Sequence, residues 1–171
     1  MNQDIVSNSS LSLKQRIDLI KECLLRSDVE LVNLSMADNN FVRFDIVCGK
    51  EKLSLHILPK NIVNSGWNDK PYIKRIQVMS FLDKRIPLNT KDNSSMFLGV
   101  AFVNNEPIFA VWNPFSYVFH KTNRSCYVEV ESLALSSHQG FIKTIDSKQI
   151  VLLCDKEHFG DLIKYYNEEN R

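Results

Sequence analysis

Apolar residues recur along this chain with two periods, and each change of period marks an element. Leu13, Ile17, Ile20 and Leu24 follow helical spacing while Lys14, Lys21 and Glu22 fall on other faces, which predicts an amphipathic helix over residues 13–26. Ser12-Leu13-Lys14-Gln15 supplies a capping box at its start, with Ser12 as N-cap and Gln15 at the third helical position. From Val29 the period falls to two. Val42, Phe44, Ile46 and Cys48 alternate with Arg43, Asp45 and Val47, and Leu53, Leu55 and Ile57 alternate with Lys52, Ser54 and His56. Two half-buried strands joined by the tight turn Cys48-Gly49-Lys50-Glu51 follow, with a strand over residues 29–36 completing a meander. Residues 72–79 read as another strand. Residues 96–103 and 108–112 are almost continuously apolar and are joined by Asn104-Asn105-Glu106-Pro107, the pattern of a central hairpin buried on both faces. Strands are predicted over residues 126–135, 139–145 and 149–154. A closing helix is predicted over 156–167, where Phe159, Leu162, Ile163 and Tyr166 recur behind the N-cap candidate Asp155.

Eight or nine strands between two helices, with no βαβ alternation, predict a mostly β chain with flanking helices (α+β) whose sheet is largely antiparallel and barrel-like. At 171 residues the chain fits one domain. Residues 1–11 read as a flexible tail and 12–171 as the folded unit. No run approaches the ~20 apolar residues of a membrane helix, and the amino terminus lacks the layout of a signal peptide, which points to the cytoplasm and to no membrane partner.

Three irregular segments interrupt the apolar pattern. Residues 59–71 hold two prolines, a glycine and three asparagines; residues 83–95 are polar and basic; residues 113–125 are basic and aromatic. Long loops in a compact domain tend to be functional. The net charge of +1 conceals a gradient: 7 basic against 8 acidic residues over 1–59, 10 against 6 over 60–143, and 4 against 6 over 144–171. The basic middle spans all three segments, which suits a nucleic-acid surface.

Catalytic constellations are sparse. There is no phosphate-cradling GxxxxGK[ST], no GxSxG elbow, no HExxH and no deaminase signature. The four cysteines, Cys23, Cys48, Cys126 and Cys154, form no CxxC pair and read as free thiols within apolar runs. His158 follows Cys154 by four residues, but no second pair completes a zinc set; neither metal nor cofactor is expected. The enzymatic alternative is a Mg²⁺-dependent nuclease in which Asp45 and Glu51 would hold the ion and Lys52 would support the attacking water. A third possibility is an interaction module whose loops bind an acidic protein.

The segments themselves favour duplex DNA. Lys and Arg neutralise phosphates, hydroxyls position the backbone, and Arg, Asn and Gln can read base edges in the major groove. The candidate contacts are Lys60, Asn64, Lys70, Lys74, Arg75 and Gln77 in and after the first segment. The second contributes Lys84, Arg85, Asn89 and Lys91, and the third Ser116, Tyr117, His120, Lys121, Asn123 and Arg124. Any one of these segments taken singly matches an ordinary solvated loop. Trp112 reads as core, and Trp67 as a staple for its polar loop.

Lys74-Arg75-Ile76-Gln77, then Met96-Phe97-Leu98-Gly99-Val100, Phe109-Ala110-Val111-Trp112-Asn113-Pro114 and Ser137-His138-Gln139-Gly140-Phe141 stand in an order that resembles the amino-terminal module of methylase-associated restriction proteins, over about residues 59–155. The nearest systems in kind are the LlaJI-type relatives of the McrBC machinery. The resemblance implies an open pseudobarrel like the plant B-three-type domain and the effector domain of EcoRII, gripping the major groove with two loop arms. It also implies an AAA+ GTPase motor and a nuclease subunit as partners, with catalysis elsewhere. Arg75 and Gln77 match the family's R-I-Q strand, and Asn113 stands where the family has Asp before Pro114. Tyr72-Ile73-Lys74 replaces a glutamate-containing run. Without the resemblance, the alternation around Ile76 and Val78 requires only that Arg75 and Gln77 face water.

Overall fold

The computed structural model describes residues 5–36, 40–78, 86–116 and 124–170. The first helix, α1 (Leu13–Arg26), starts at the predicted capping box: Ser12 Oγ accepts from the Gln15 amide (3.1 Å) and Gln15 Oε1 accepts from the Ser12 amide (2.8 Å). The meander follows as β2 (Val29–Met36), β3 (Val42–Cys48) and β4 (Glu51–Asn61), all antiparallel. The apolar hairpin is β7 (Asn93–Val103) and β8 (Glu106–Trp112), turning through Asn104 and Asn105, both with positive φ.

These strands join β10 (Phe141–Asp146) and β11 (Gln149–Asp155) in one large sheet of order β10-β11-β8-β7-β4-β3-β2. Only the β4–β7 pair among these is parallel, with Ser54 opposite Asn93 and Asn61 opposite Val100. A second sheet holds β5 (Val63–Asn64), β6 (Ile73–Val78) and β9 (Arg124–Glu129), in the order β5-β6-β9. The result is mostly β, antiparallel-dominated and flanked by helices, and it does not close into a barrel.

The large sheet is buried on both sides because its central strands carry apolar residues at successive positions. Met96, Leu98 and Val100 of β7 face α1 and α3 (Phe159–Glu169), where Ile20, Leu24, Leu162 and Tyr166 are buried. Phe97, Ala101 and Val103 face the small sheet and α2 (Val130–Gln139), among Ile76, Cys126, Val128, Leu133 and the fully buried Trp112. Gly99 lies where the sheets meet; a Cβ there would stand 2.6 Å from Ile62 Cγ1 and 2.9 Å from Ile76 Cγ2.

Several expectations change. Residues 130–135 continue the predicted strand in the sequence pattern but begin α2: Val130, Ser132, Leu133 and Ser136 are its buried positions, and Gly140, at φ 83°, ends it with its amide on Ser136 O. Gly140, inside the strand predicted over 139–145, is instead a helix C-cap, and the described residues hold three α-helices rather than two. Residues 59–64 extend β4 and form β5, so the first irregular segment shrinks to residues 65–72. The last helix starts later than predicted, with His158 at the N-cap. Asp155 accepts from the His158 amide (3.0 Å) and receives its Nδ1 (2.7 Å). The expected amino-terminal tail is docked from residue 5: β1 (Val6–Ser7) pairs with β7, Val6 is buried, and the Ser9 amide bonds Ile62 O.

Among the described residues no helix is long and apolar enough to cross a membrane. Cys23, Cys126 and Cys154 are buried free thiols, as expected, while Cys48 is half-buried. Burial pushes the Cys23 thiol up to about 12 and those of Cys126 and Cys154 well above the ordinary range, so none is a ready nucleophile.

Candidate nucleic-acid interface

Alternation over residues 74–78 of β6 and 125–129 of β9 gives the small sheet two chemically different faces. Ile76 and Val78 of β6, with Cys126 and Val128 of β9, point into the core. Arg75 and Gln77 take the other face, in register with Tyr127 and Ser125. Gln77 is exposed, Arg75 and Tyr127 are half-buried, and Arg75 Nη1 reaches diagonally to Ser125 Oγ (3.3 Å). Arg75 Nε is buried without a hydrogen-bond acceptor. The indole of Trp67 stacks on Tyr127 (centroids 4.8 Å apart, 26° between planes), and Lys70 Nζ sits 5.3 Å from the Trp67 ring. Trp67 is therefore the expected staple, and Tyr127 is what it staples to. Tyr127 and Ser125 escaped selection as candidates, although their alternation with Cys126 and Val128 is visible in the sequence.

Side chains from the large sheet hold the free edge of β9. Gln149 Oε1 accepts from the Tyr127 amide (2.7 Å) while its Nε2 donates to Ser125 O (3.3 Å). The buried Asp146 accepts from the Glu129 amide (2.8 Å) and from Ser132 Oγ (2.9 Å). Trp112 Nε1 donates to Tyr127 O (3.3 Å). Strand-like bonds from side chains thus fix the small sheet against the hairpin β10–β11 and satisfy an edge that would otherwise be open. Burial, with Asp146 and Glu131 nearby, raises the Glu129 carboxyl.

The other candidates divide by position. Val78 and Arg124 are register partners, so the second segment leaves the small sheet beside the point where the third returns. The first segment turns at the opposite end of β6, and the three therefore do not share one end of that sheet. Lys84, Arg85, Tyr117, His120, Lys121 and Asn123 lie outside the described residues. Lys91 and Ser116 are exposed and Arg124 is half-buried. Asn89 turns its carbonyl to the Ser95 amide (2.7 Å), close to Tyr166, whose hydroxyl donates to Ser95 O (2.5 Å). Asn113 donates to Asn170 Oδ1 (2.7 Å), which brings the roots of the second and third segments together around the end of α3. Lys60 is half-buried; burial and the nearby Arg16 lower its ammonium. Lys74 is 6% exposed, with Nζ on Asn8 Oδ1 (2.7 Å) and Asn64 Oδ1 (3.0 Å).

The nuclease arrangement does not assemble. Asp45 pairs with Ser54 and Lys52 with Val47 across β3–β4, whereas Glu51 pairs with Cys48 and so takes the opposite face. Asp45 is engaged besides: Arg43 Nε (2.8 Å), Ser54 Oγ (2.6 Å) and Asn33 Nδ2 (3.4 Å) all donate to it. Burial raises its carboxyl, but these donors outweigh that and hold it below the ordinary range. Among the described residues no three His, Cys, Asp or Glu side chains group as metal ligands.

No curated protein and no solved structure matches the chain. One sequence family does: Methylase-associated X1, over residues 53–163. That stretch runs from β4 into α3, takes in the whole small sheet and its supports, and covers well over half of the chain. The protein belongs to the Methylase-associated X1 family, a membership consistent with a methylase-associated restriction-system module.

Proposed function

We propose that this chain is the site-reading module of a restriction system: it binds double-stranded DNA and leaves cleavage to other parts of the machine. The observation that carries the proposal is the outer face of the small sheet. Arg75 and Gln77 stand there in register with Tyr127 and Ser125, and the same two strands lead into two polar, basic segments at one end. Arginine and glutamine are side chains able to pair with guanine and adenine edges, and lysines around them neutralise phosphates. Family membership supports the restriction setting. A LlaJI-type, McrBC-related system, with an AAA+ GTPase motor and a nuclease subunit in the cytoplasm, is the finer form of the proposal.

Binding to a panel of labelled duplexes at several salt concentrations tests it. Affinity should fall linearly in log–log form with salt as phosphate contacts release counterions. Affinity indifferent to salt, or no duplex binding at low salt, overturns the proposal, and the second result favours an acidic protein partner. Lys84→Ala and Lys121→Ala should weaken all duplexes alike, whereas Arg85→Ala and Arg124→Ala should blur discrimination between them. Incubation with plasmid and Mg²⁺ should leave the plasmid intact; cleavage overturns the division of labour.

A further inference from the structure

Between β1, β5 and the turn into β6 lies an open cleft of about 550 Å³. Among the described residues Lys74 is the single charged one on its lining, and no acidic side chain shares it. Lysine is almost never so buried unless a counter-charge pairs with it. Here both partners of Nζ are neutral, the carbonyl oxygens of Asn8 and Asn64. Burial lowers the Lys74 ammonium.

The hydrogen-bond inventory tells what the cleft lacks. An ammonium has three protons to give and accepts nothing. Two go to asparagine carbonyls, which leaves one. Because Lys74 can only donate, Asn8 and Asn64 must turn their oxygens toward it and their NH₂ groups away. The buried Ser65 Oγ accepts from the Trp67 amide (3.2 Å) and keeps its own proton free to donate. The lining thus gathers donors from Lys74, Asn8, Asn64 and Ser65, and Lys70, outside the lining, holds a second positive charge 5.3 Å from the Trp67 ring. A site made of donors and uncompensated positive charge calls for a ligand made of acceptors and negative charge.

We propose that this cleft binds a phosphate group, carried by a DNA backbone or by a free nucleotide. Charge-assisted bonds to a tetrahedral oxyanion would supply the missing counter-charge and occupy several donors at once. The volume falls in the range of small-molecule sites, ~300–1,000 Å³, so a nucleoside could accompany the phosphate. Occupation by a backbone phosphate rests on the DNA-binding function proposed for this chain; occupation by a free nucleotide does not.

Trp67 lines the cleft and Trp112 is fully buried, so Trp67 fluorescence reports binding, with Trp67→Phe to identify the signal. The full chain is titrated at constant ionic strength with inorganic phosphate, with deoxyadenosine monophosphate and with a short duplex. The decisive variant is Asn64→Asp. It keeps an oxygen against Lys74, so the thermal midpoint should hold or rise. Its carboxylate fills the anion's place, so affinity should fall at least about tenfold, the loss expected when a charged hydrogen bond gives way to like-charge repulsion. A merely structural Lys74 would show the first effect without the second.

Saturation by the duplex, with a salt slope smaller by about one in Asn64→Asp, assigns the cleft to the DNA backbone. Saturation by the monophosphate while the duplex fails to bind supports the phosphate site and overturns the DNA-binding function. No saturable response to any of the three, or an affinity that stays within about twofold in Asn64→Asp, overturns the phosphate site.

Discussion

The central strands of the large sheet and the strands of the small one bury their side chains to different extents. β7 and β8 are buried at nearly every position, because helices cover one face and the small sheet with α2 covers the other. From Lys74 onward β6 buries alternate positions, as β9 does from Ser125, and Arg75, Gln77, Ser125 and Tyr127 are left on the face turned away from the core. One sheet is scaffold on both sides. The other is scaffold on one side and presents polar side chains on the other, held in place by Trp112, Asp146 and Gln149. Groups presented on a rigid strand are positioned more accurately than groups on a loop, which supports the recognition role proposed for the small sheet.

The contrast is broken most forcefully at Trp112. Trp112→Ala empties a fully buried site and removes the bond to Tyr127 O, so chemical denaturation should show a loss of ~3–5 kcal/mol. A loss under ~1 kcal/mol would mean that the small sheet does not depend on the large one. Gly99→Ala acts at the seam itself. Its methyl would collide with Ile62 and Ile76, and overpacking of this kind should cost ~1–3 kcal/mol. An unchanged midpoint would show that the sheets can slide apart without penalty.

Gln77→Ala tests the exposed face in the opposite sense. Stability should stay within ~0.5 kcal/mol of wild type, while discrimination between duplexes falls by ~1–3 kcal/mol if Gln77 reads a base. Lost stability with unchanged binding would move Gln77 from chemistry to scaffold.

The smallest effect is expected at His158, the N-cap of α3. The hydrogen bond to Asp155 raises its imidazole above the ordinary value of 6.5, and burial only partly opposes this. A group whose pKa is raised on folding contributes stability that is complete below its unfolded pKa and is lost as pH rises through the folded one. The thermal midpoint should therefore decline slightly as pH climbs above about 6.5, and His158→Gln should remove that decline. The imidazole is 43% exposed, so solvent screening keeps the effect small. An identical pH profile in the variant would leave the pair with no electrostatic role.

Much of the fold is legible in local pattern. The capping box, the meander and the buried hairpin all stand where their residues predict them, because each depends on neighbours close in sequence. Residues 130–139 mislead for the same reason: Glu131, Leu133 and Leu135 alternate like a strand, while the competing helical set Val130, Leu133 and Ser136 becomes decisive only once β11 and the small sheet offer a surface to cover. The nuclease alternative fails on register, since the pairing of Glu51 with Cys48 and Asp45 with Ser54 sends the two carboxylates to opposite faces.

The candidate site divides along the same line. Composition alone singled out Lys74, Asn89 and Arg75 as equivalent polar residues, yet they have three different environments. Lys74 is buried between two asparagines, Asn89 is bonded to the start of β7, and Arg75 stands on the outer face of β6.

What the sequence by itself determined is therefore periodicity: which side chains share a face of a helix or strand, and where those elements start and turn. It also determined the absence of the familiar catalytic motifs and the position of the basic middle. Only the tertiary structure decided which of those faces would be covered. The parallel pairing of β4 with β7, the separation of β5, β6 and β9 into their own sheet, and the burial of an uncompensated lysine beside an open cleft all arise from contacts between residues distant in sequence. Periodicity comes from local backbone geometry, whereas coverage depends on which remote element packs on a face, and no local pattern encodes that choice.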